Sequence, residues 1–313
     1  MPAGAAAVAL RLRDEIPRTS RATELVRGLC DAAGPRLAGS PGAARAVAWA
    51  EATMRAAGLE NVHAEPVTVP HWERIAEHGE VVLPHRRPLA LTALGGSVPT
   101  PAGGIEADVV RVASLAELER LPDAALSGKL AFLDAETPRR ADGSGYGEAV
   151  WMRGRGVIEA ARRGAIGVLI RSVGTDHDRL PHTGQLRYDD AVPKIPAAAV
   201  SVPAAARMRR WLEAREPVRA RLKLATARHP DAAGANVVGE LRGSTSPGEI
   251  VLLGAHLDAW DLGDGALDDG AGCAIAIEAA RQIAARPRPA RTIRVVLFAN
   301  EESGLAGAFA YAK

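Results

Sequence analysis

Two stretches near the start of the chain, 18–33 and 41–57, repeat their apolar residues at helical spacing (Leu25, Val26 and Leu29; Val47, Ala50 and Met54), so each predicts an amphipathic helix. Ser40 and Pro41 supply the second with an N-cap and a proline at the first helical position, and Gly58 closes it. Between them 34–39 reads as a compact loop. The alternation across 63–70, flanked by prolines, reads as an edge strand. From 93 to 227 the texture changes to short apolar runs (108–112, 129–133, 166–170, 197–200 and 218–224) separated by turns and by helical stretches, one of which, 148–163, ends at Gly164. That middle region predicts a separate small α/β or β-rich module, for which the plain expectation is a compact spacer or lid without chemistry. After His229 the pattern becomes strand (235–241 and 249–253), helix (269–285), strand (292–298) and the beginning of a helix (302–313). Such alternation predicts an α/β sheet covered on both faces.

The chain has 313 residues, more than one average core needs, which suggests two domains or one domain carrying an insertion. Its 47% hydrophobic and 24% charged composition is that of a globular protein and excludes a disordered, collagenous or coiled-coil chain. Aromatic residues are only 4%, so the core must be built from Ala, Val, Leu and Ile. A net charge of +2, with short scattered basic clusters, is no footprint for nucleic acid or an anionic membrane, and neither is expected as a partner. Two cysteines, Cys30 and Cys273, can form neither a disulfide framework nor a cysteine zinc cluster. Residues 1–10 are apolar and small but lack a preceding basic segment, since Arg11 and Arg13 follow them; they read as neither a signal peptide nor a membrane span, which points to a cytoplasmic protein.

Sites in open α/β sheets form at the carboxyl ends of strands, and two predicted strand ends carry unusual residues. The first is Gly254-Ala255-His256-Leu257-Asp258, followed by a loop and Asp268-Asp269-Gly270-Ala271-Gly272; the second is Asn300-Glu301-Glu302. Each piece has a plain structural reading: a hydrogen-bonded histidine, an N-capping aspartate, a glutamate pair complementing a helix dipole. Together they would concentrate carboxylates that repel unless a cation joins them. One imidazole and several carboxylates suit zinc, and a shared carboxylate can bridge two ions. Asp258, two residues beyond His256, is placed to orient the imidazole. Gly263, Gly265, Gly270, Ala271 and Gly272 would let backbone and helix end approach closely.

The segment 254–272, with Glu301-Glu302-Ser303-Gly304-Leu305, resembles the signature of the dinuclear-zinc aminopeptidase and carboxypeptidase family. Further stretches, 34–40, 70–74, 170–173, 181–184 and 192–196, match ones characteristic of one branch of that family, so the resemblance covers nearly the whole chain. It implies a mixed-sheet, phosphorylase/hydrolase-like peptidase core in residues 1–92 and 228–313, with a protease-associated domain inserted at 93–227. It also implies two zinc ions. His256 would hold one, Glu302 the other, and Asp268 would bridge them, with Glu301 as general base and Asp258 behind the imidazole.

The substrate the resemblance implies is a short peptide, dipeptides first among them; an aminopeptidase on longer peptides and a receptor-like binding module without catalysis are the alternatives. A homodimer and an extracytoplasmic location are also compatible with it. The family pattern includes a later aspartate and a later histidine as zinc ligands, whereas 303–313 contains neither residue type. The upstream histidines offer no replacement, and His182, in its Pro-His-Thr-Gly setting, reads first as a structural loop residue. The expectation is therefore a core incomplete at its C-terminal side, with two of three protein ligands for each zinc when Asp268 counts for both, marginal stability and feeble activity as it stands.

Overall fold

The structure, a computed structural model, describes residues 3–313. In chain order its elements are α1 (Ala3–Thr19), α2 (Ala22–Ala33), α3 (Pro41–Ala56), β1 (Glu60–Leu83), β2 (Arg87–Pro88), β3 (Leu91–Ala93), β4 (Ile105–Val112), α4 (Leu115–Arg120), β5 (Leu130–Leu133), α5 (Gly145–Ala149), α6 (Arg155–Arg162), β6 (Gly167–Arg171), β7 (Ala197–Val200), α7 (Val202–Glu213), β8 (Arg219–Leu241), β9 (Ser246–His256), α8 (Ala271–Ala284), β10 (Arg291–Phe298) and α9 (Ala306–Tyr311). They form two compact units, residues 1–71 with 230–313 and residues 72–229. The division falls at 71/72 and 229/230, where the sequence placed it at 92/93 and 227/228. The reason is that the second half of β1, with β2 and β3, pairs inside the second unit.

In the first unit β10 lies between β8, to which it is antiparallel, and β9, to which it is parallel. Its core joins α2, α3 and α8 to these strands through Leu29, Ala46, Ala50, Met54, Val237, Ile277, Val295 and Leu297. Small residues on the helices let them sit close to the sheet, as the near absence of aromatic residues requires. Ser40 caps α3 by accepting from the Ala43 amide at 3.2 Å. One element was not anticipated: the N-terminal stretch read only as a non-signal segment is helical from Ala3, Met1 and Pro2 lying outside the described residues. Its C-terminal end docks on α8 and the turn after it, where Gln282 of the helix donates to Thr19 and Arg286 of the turn pairs with Glu15 at 2.9 Å.

The second unit has β4, β5, β6 and β7 in one parallel array, with β3 antiparallel to β7 and β8 antiparallel to β4. The stretch read as one helix at 148–163 is two helices and a short 3-10 turn, broken at Gly154. No helix of the described residues is long and apolar enough to cross a membrane.

At the carboxyl end of β5, Asp134 is fully buried and gathers three guanidinium groups. Its carboxylate accepts from Arg111 at 2.6 Å, Arg171 at 2.8 Å and Arg209 at 2.6 Å. Burial alone would raise its pKa, but the hydrogen bonds from Arg209 and Arg111 and the charge of Arg171 more than reverse this and hold it below the ordinary 3.8. The stabilisation is thus present above the unfolded value and is lost as the pH falls through the depressed one. Asp134→Asn is expected to cost the second unit about 3–5 kcal/mol, because it leaves buried guanidinium groups without their counter-ion. Urea unfolding at pH 7 measures this, and the difference from wild type should shrink in acid.

Candidate metal centre

β9 and β10 run parallel and in register, so that His256 is opposite Phe298 and both strands end at the same edge. The backbone pairing continues one step further, the Leu257 amide donating to the Phe298 carbonyl at 2.7 Å. Two loops that are 43 residues apart in sequence at Asp258 and Glu301 thus leave the sheet side by side.

Asp258, 3% exposed, joins them. Its carboxylate accepts from the Glu301 amide at 2.9 Å and from the Glu302 amide at 3.3 Å. Burial pushes its pKa up against the pull of those amides and of His256. The imidazole is oriented chiefly by the Asp258 backbone: Nδ1 lies 3.0 Å from the Asp258 carbonyl oxygen and 3.8 Å from its carboxylate. A proton on Nδ1, donated to that carbonyl, leaves the Nε2 lone pair free for a ligand.

Nε2 faces Asp268, 3.1 Å away, and Glu301, 3.9 Å away. Asp268 and Asp269, joined by a cis peptide bond, divide the work between them. Asp268 is 78% exposed and turns to the imidazole. Asp269 accepts from the His256 amide at 3.1 Å and from the Gly272 amide at 2.9 Å, tying the strand end to the first turn of α8. A Cβ on Gly272 would lie 2.2 Å from the Asp269 carboxylate, so a larger residue there would push that carboxylate out of its place. Gly265 has φ +55° and would bring a Cβ to 2.2 Å from that of Ala259.

Glu301 and Glu302 do not begin a helix, as their sequence suggested. Asn300 adopts φ +61° and Leu305 φ +62°, which interrupts any helical path, and α9 starts only at Ala306. The fully buried Asn300 side chain donates to Ser303 at 2.6 Å and accepts from the Ala306 amide at 3.3 Å, bracing the turn between them. The glutamates are therefore not explained by a helix dipole.

One ligand atom from each of His256, Asp268 and Glu302 lies within 4.8 Å of the others, the single such group of metal-binding side chains among the described residues. Glu302 Oε1 is buried and has no partner among them. Burial, with the charge of Asp268 behind it, pushes the Glu302 pKa up to about 7. His256 is raised too: burial opposes the shift, but the charges of Asp258, Asp269 and Glu301 and the bond to the Asp258 carbonyl outweigh it. Crowded carboxylates, an imidazole Nε2 turned toward them and an orphaned buried oxygen are a donor set suited to a divalent cation. The other histidines lie elsewhere: His182 pairs with Asp176 at 2.9 Å and His229 with Glu73 at 2.9 Å.

Sequence reading missed Arg36. It is fully buried in the 34–39 loop and donates to the carbonyls of Leu257 (2.6 Å), Asp264 and Gly265 (2.7 Å), pinning the loop that carries the site from β9 to α8. An arginine isolated in a small, apolar loop is the one signal that could have marked it.

The profile of peptidase family M28 matches residues 236–313, the part that contains the whole candidate site. The chain is 40% identical over 294 residues to carboxypeptidase Q of Bos taurus, covering 93% of this chain and 61% of that one. It superposes on the crystal structure of a peptidase M28 precursor from Shewanella amazonensis with a TM-score of 0.95 and 46% identity, over 97% of this chain and 69% of that one. The chain belongs to peptidase family M28. A zinc aminopeptidase from Bacillus subtilis, 23% identical with a TM-score of 0.64 over 93% of this chain and 63% of that one, shares the fold. This M28 chain spans about three fifths of the length of the curated relatives it matches.

Three outcomes follow for this M28 site. Arg36→Met strips donors from three carbonyls, and at about 1–3 kcal/mol for each unsatisfied group it should lower the unfolding free energy by at least about 3 kcal/mol in urea. Zinc at about a hundredfold above its Kd should raise apparent stability by about 2.7 kcal/mol. Since Glu302 must be ionised to ligate and its pKa lies near 7, that gain should be larger at pH 8 than at pH 6, and mostly absent in Glu302→Gln. In metal-free protein the sign reverses: a carboxyl raised above its unfolded value costs stability as pH climbs from 4.5 toward 7. Thermal melts with zinc and with a chelator measure both.

Proposed function

We propose that this chain carries the metal site of a zinc peptidase that hydrolyses peptide bonds in short peptides, dipeptides first among them. The observation that supports the reading best is the meeting of His256, Asp268 and Glu302 within one ligand sphere, with the Glu301 carboxylate 3.9 Å from His256 Nε2. His256 Nε2 would hold one zinc, Glu302 a second, and Asp268 would be shared between them. Zinc bound there would lower the pKa of a coordinated water and polarise the scissile carbonyl. Glu301 is half exposed beside those ligands, free to take the water's proton and hand it to the departing amine. Asp258 fixes the Glu301 backbone, so the base cannot drift from the ligands. The residues 303–313 contribute no acidic or histidine side chain, so the complete coordination of two ions calls for donors outside that stretch. Residues 72–229 would be the protease-associated domain, inserted into the peptidase core.

Glu301→Gln tests the assignment in protein expressed from the whole natural coding sequence. The variant should retain zinc and lose roughly 10²–10⁴-fold in kcat on dipeptides. Hydrolysis near the wild-type rate would remove Glu301 from the base role. Comparing dipeptides with amino-terminally blocked dipeptides and with longer peptides separates dipeptidase from aminopeptidase specificity.

A further inference from the structure

The turn that carries Glu301 and Glu302 is held at its middle by Asp258, and its two ends meet on a residue to which the hydrolytic reading gives no role. The antiparallel ladder between β8 and β10 ends at the pair Val237 and Leu297. Asn236, the next residue of β8 toward that end, is fully buried, and its side chain takes over where the backbone pairing stops. Its Oδ1 accepts from the Ala299 amide at 3.0 Å, and its Nδ2 donates to the Gly307 carbonyl at 3.0 Å. The Gly307 amide donates in turn to the Ala299 carbonyl at 3.0 Å. The loop 299–307 is thereby closed at its base, while Asn300 braces it from within.

Both polar atoms of the Asn236 amide are committed to this closure, and the place demands one acceptor and one donor on a single short side chain. An aspartate of the same shape would set a lone pair against the Gly307 carbonyl, and a leucine would leave a buried amide and a buried carbonyl without partners. The loop ends approach too closely for a side chain at 307. A Cβ there would lie 2.5 Å from the Ala299 carbonyl oxygen and 2.6 Å from the Ala299 nitrogen, both backbone atoms. Asp258 holds Glu301 more closely than Glu302, its bonds to their amides being 2.9 and 3.3 Å, so Glu302 depends more on the closure of the loop behind it.

We propose that Asn236 is a positioning residue of the metal centre: by joining both ends of the loop 299–307 it sets where Glu302 enters the ligand sphere shared with His256 and Asp268. This role rests on the zinc reading above. His256 ends β9 and Asp268 precedes α8, both outside the closed loop, so loosening its base should act on the metal through Glu302.

The test compares wild type, Asn236→Asp and Met54→Ala, all expressed from the whole natural coding sequence. Met54→Ala opens a cavity in the core of the same unit and reports what lost stability alone does. Zinc affinity, read by competition with a chromogenic chelator, should fall about 10–100-fold in Asn236→Asp and stay within about twofold of wild type in Met54→Ala. Hydrogen exchange in the metal-free proteins should be at least about tenfold faster across 299–307 in Asn236→Asp, with the β10 amides from Ile293 to Leu297 unchanged. Gly307→Ala, which crowds the same closure from the other side, should weaken zinc by a similar factor and serves where Asn236→Asp does not fold. Wild-type zinc affinity in these loop variants, an equal loss in Met54→Ala, or unchanged exchange across 299–307 would overturn the role while leaving the zinc reading intact. Wild-type protein that takes up no zinc would overturn the zinc reading and this role with it.

Discussion

The site depends on one buried carboxylate. Asp258 leaves the end of β9 and accepts the backbone amides of Glu301 and Glu302, which leave the end of β10. Parallel pairing makes the two strand ends neighbours, but it does not determine where their loops point. The Asp258 bonds do, because two charge-assisted hydrogen bonds to successive amides hold a turn in position and orientation together. Around that clamp stand His256, Asp268, Asp269, Glu301 and Glu302; burial raises the pKa values of Asp258 and Glu302, and for Glu302 the charges of Asp268, Asp258 and Glu301 add to it. A fold that assembles so many carboxylates about one imidazole sacrifices local stability for chemistry.

Two further devices hold the arrangement. Arg36 ties down the loop between His256 and Asp268 through three carbonyls, acting where no regular secondary structure could. Asp269 anchors α8 to the strand end, which leaves Asp268 free to face the imidazole. Adjacent residues of the same type thus do different things: Asp269 braces the strand end against the helix, and Asp268 faces the imidazole.

Much of this was legible in the sequence, and the failures are instructive. Apolar runs marked β9 and β10, and the polar residues at their ends marked the site; β10 is buried along most of its length, whereas Ile250 and Leu252 leave one face of β9 exposed, so the expected cover on both faces fails at that strand. The Glu301–Glu302 turn was misread as a helix start, since two left-handed residues, Asn300 and Leu305, override the local helical pattern. The strands at 218–224 and 235–241 are one strand, β8, running through Pro230. Propensity argued for a break there, yet proline is tolerated where a strand forms no ladder bond through its nitrogen. The helix α1 was not assigned because its support comes from α8, more than 260 residues away in sequence. Arg36 escaped for the same reason: its partners lie more than 220 residues away along the chain.

The central claim is that His256, Asp268 and Glu302 form a metal site. Zinc-edge anomalous diffraction from crystals of the purified protein tests it most directly. An anomalous peak is expected about 2.0–2.2 Å from His256 Nε2 and from carboxylate oxygens of Asp268 or Glu302. A map with no peak among these three side chains in zinc-loaded crystals, or with its peak on other residues, would contradict it.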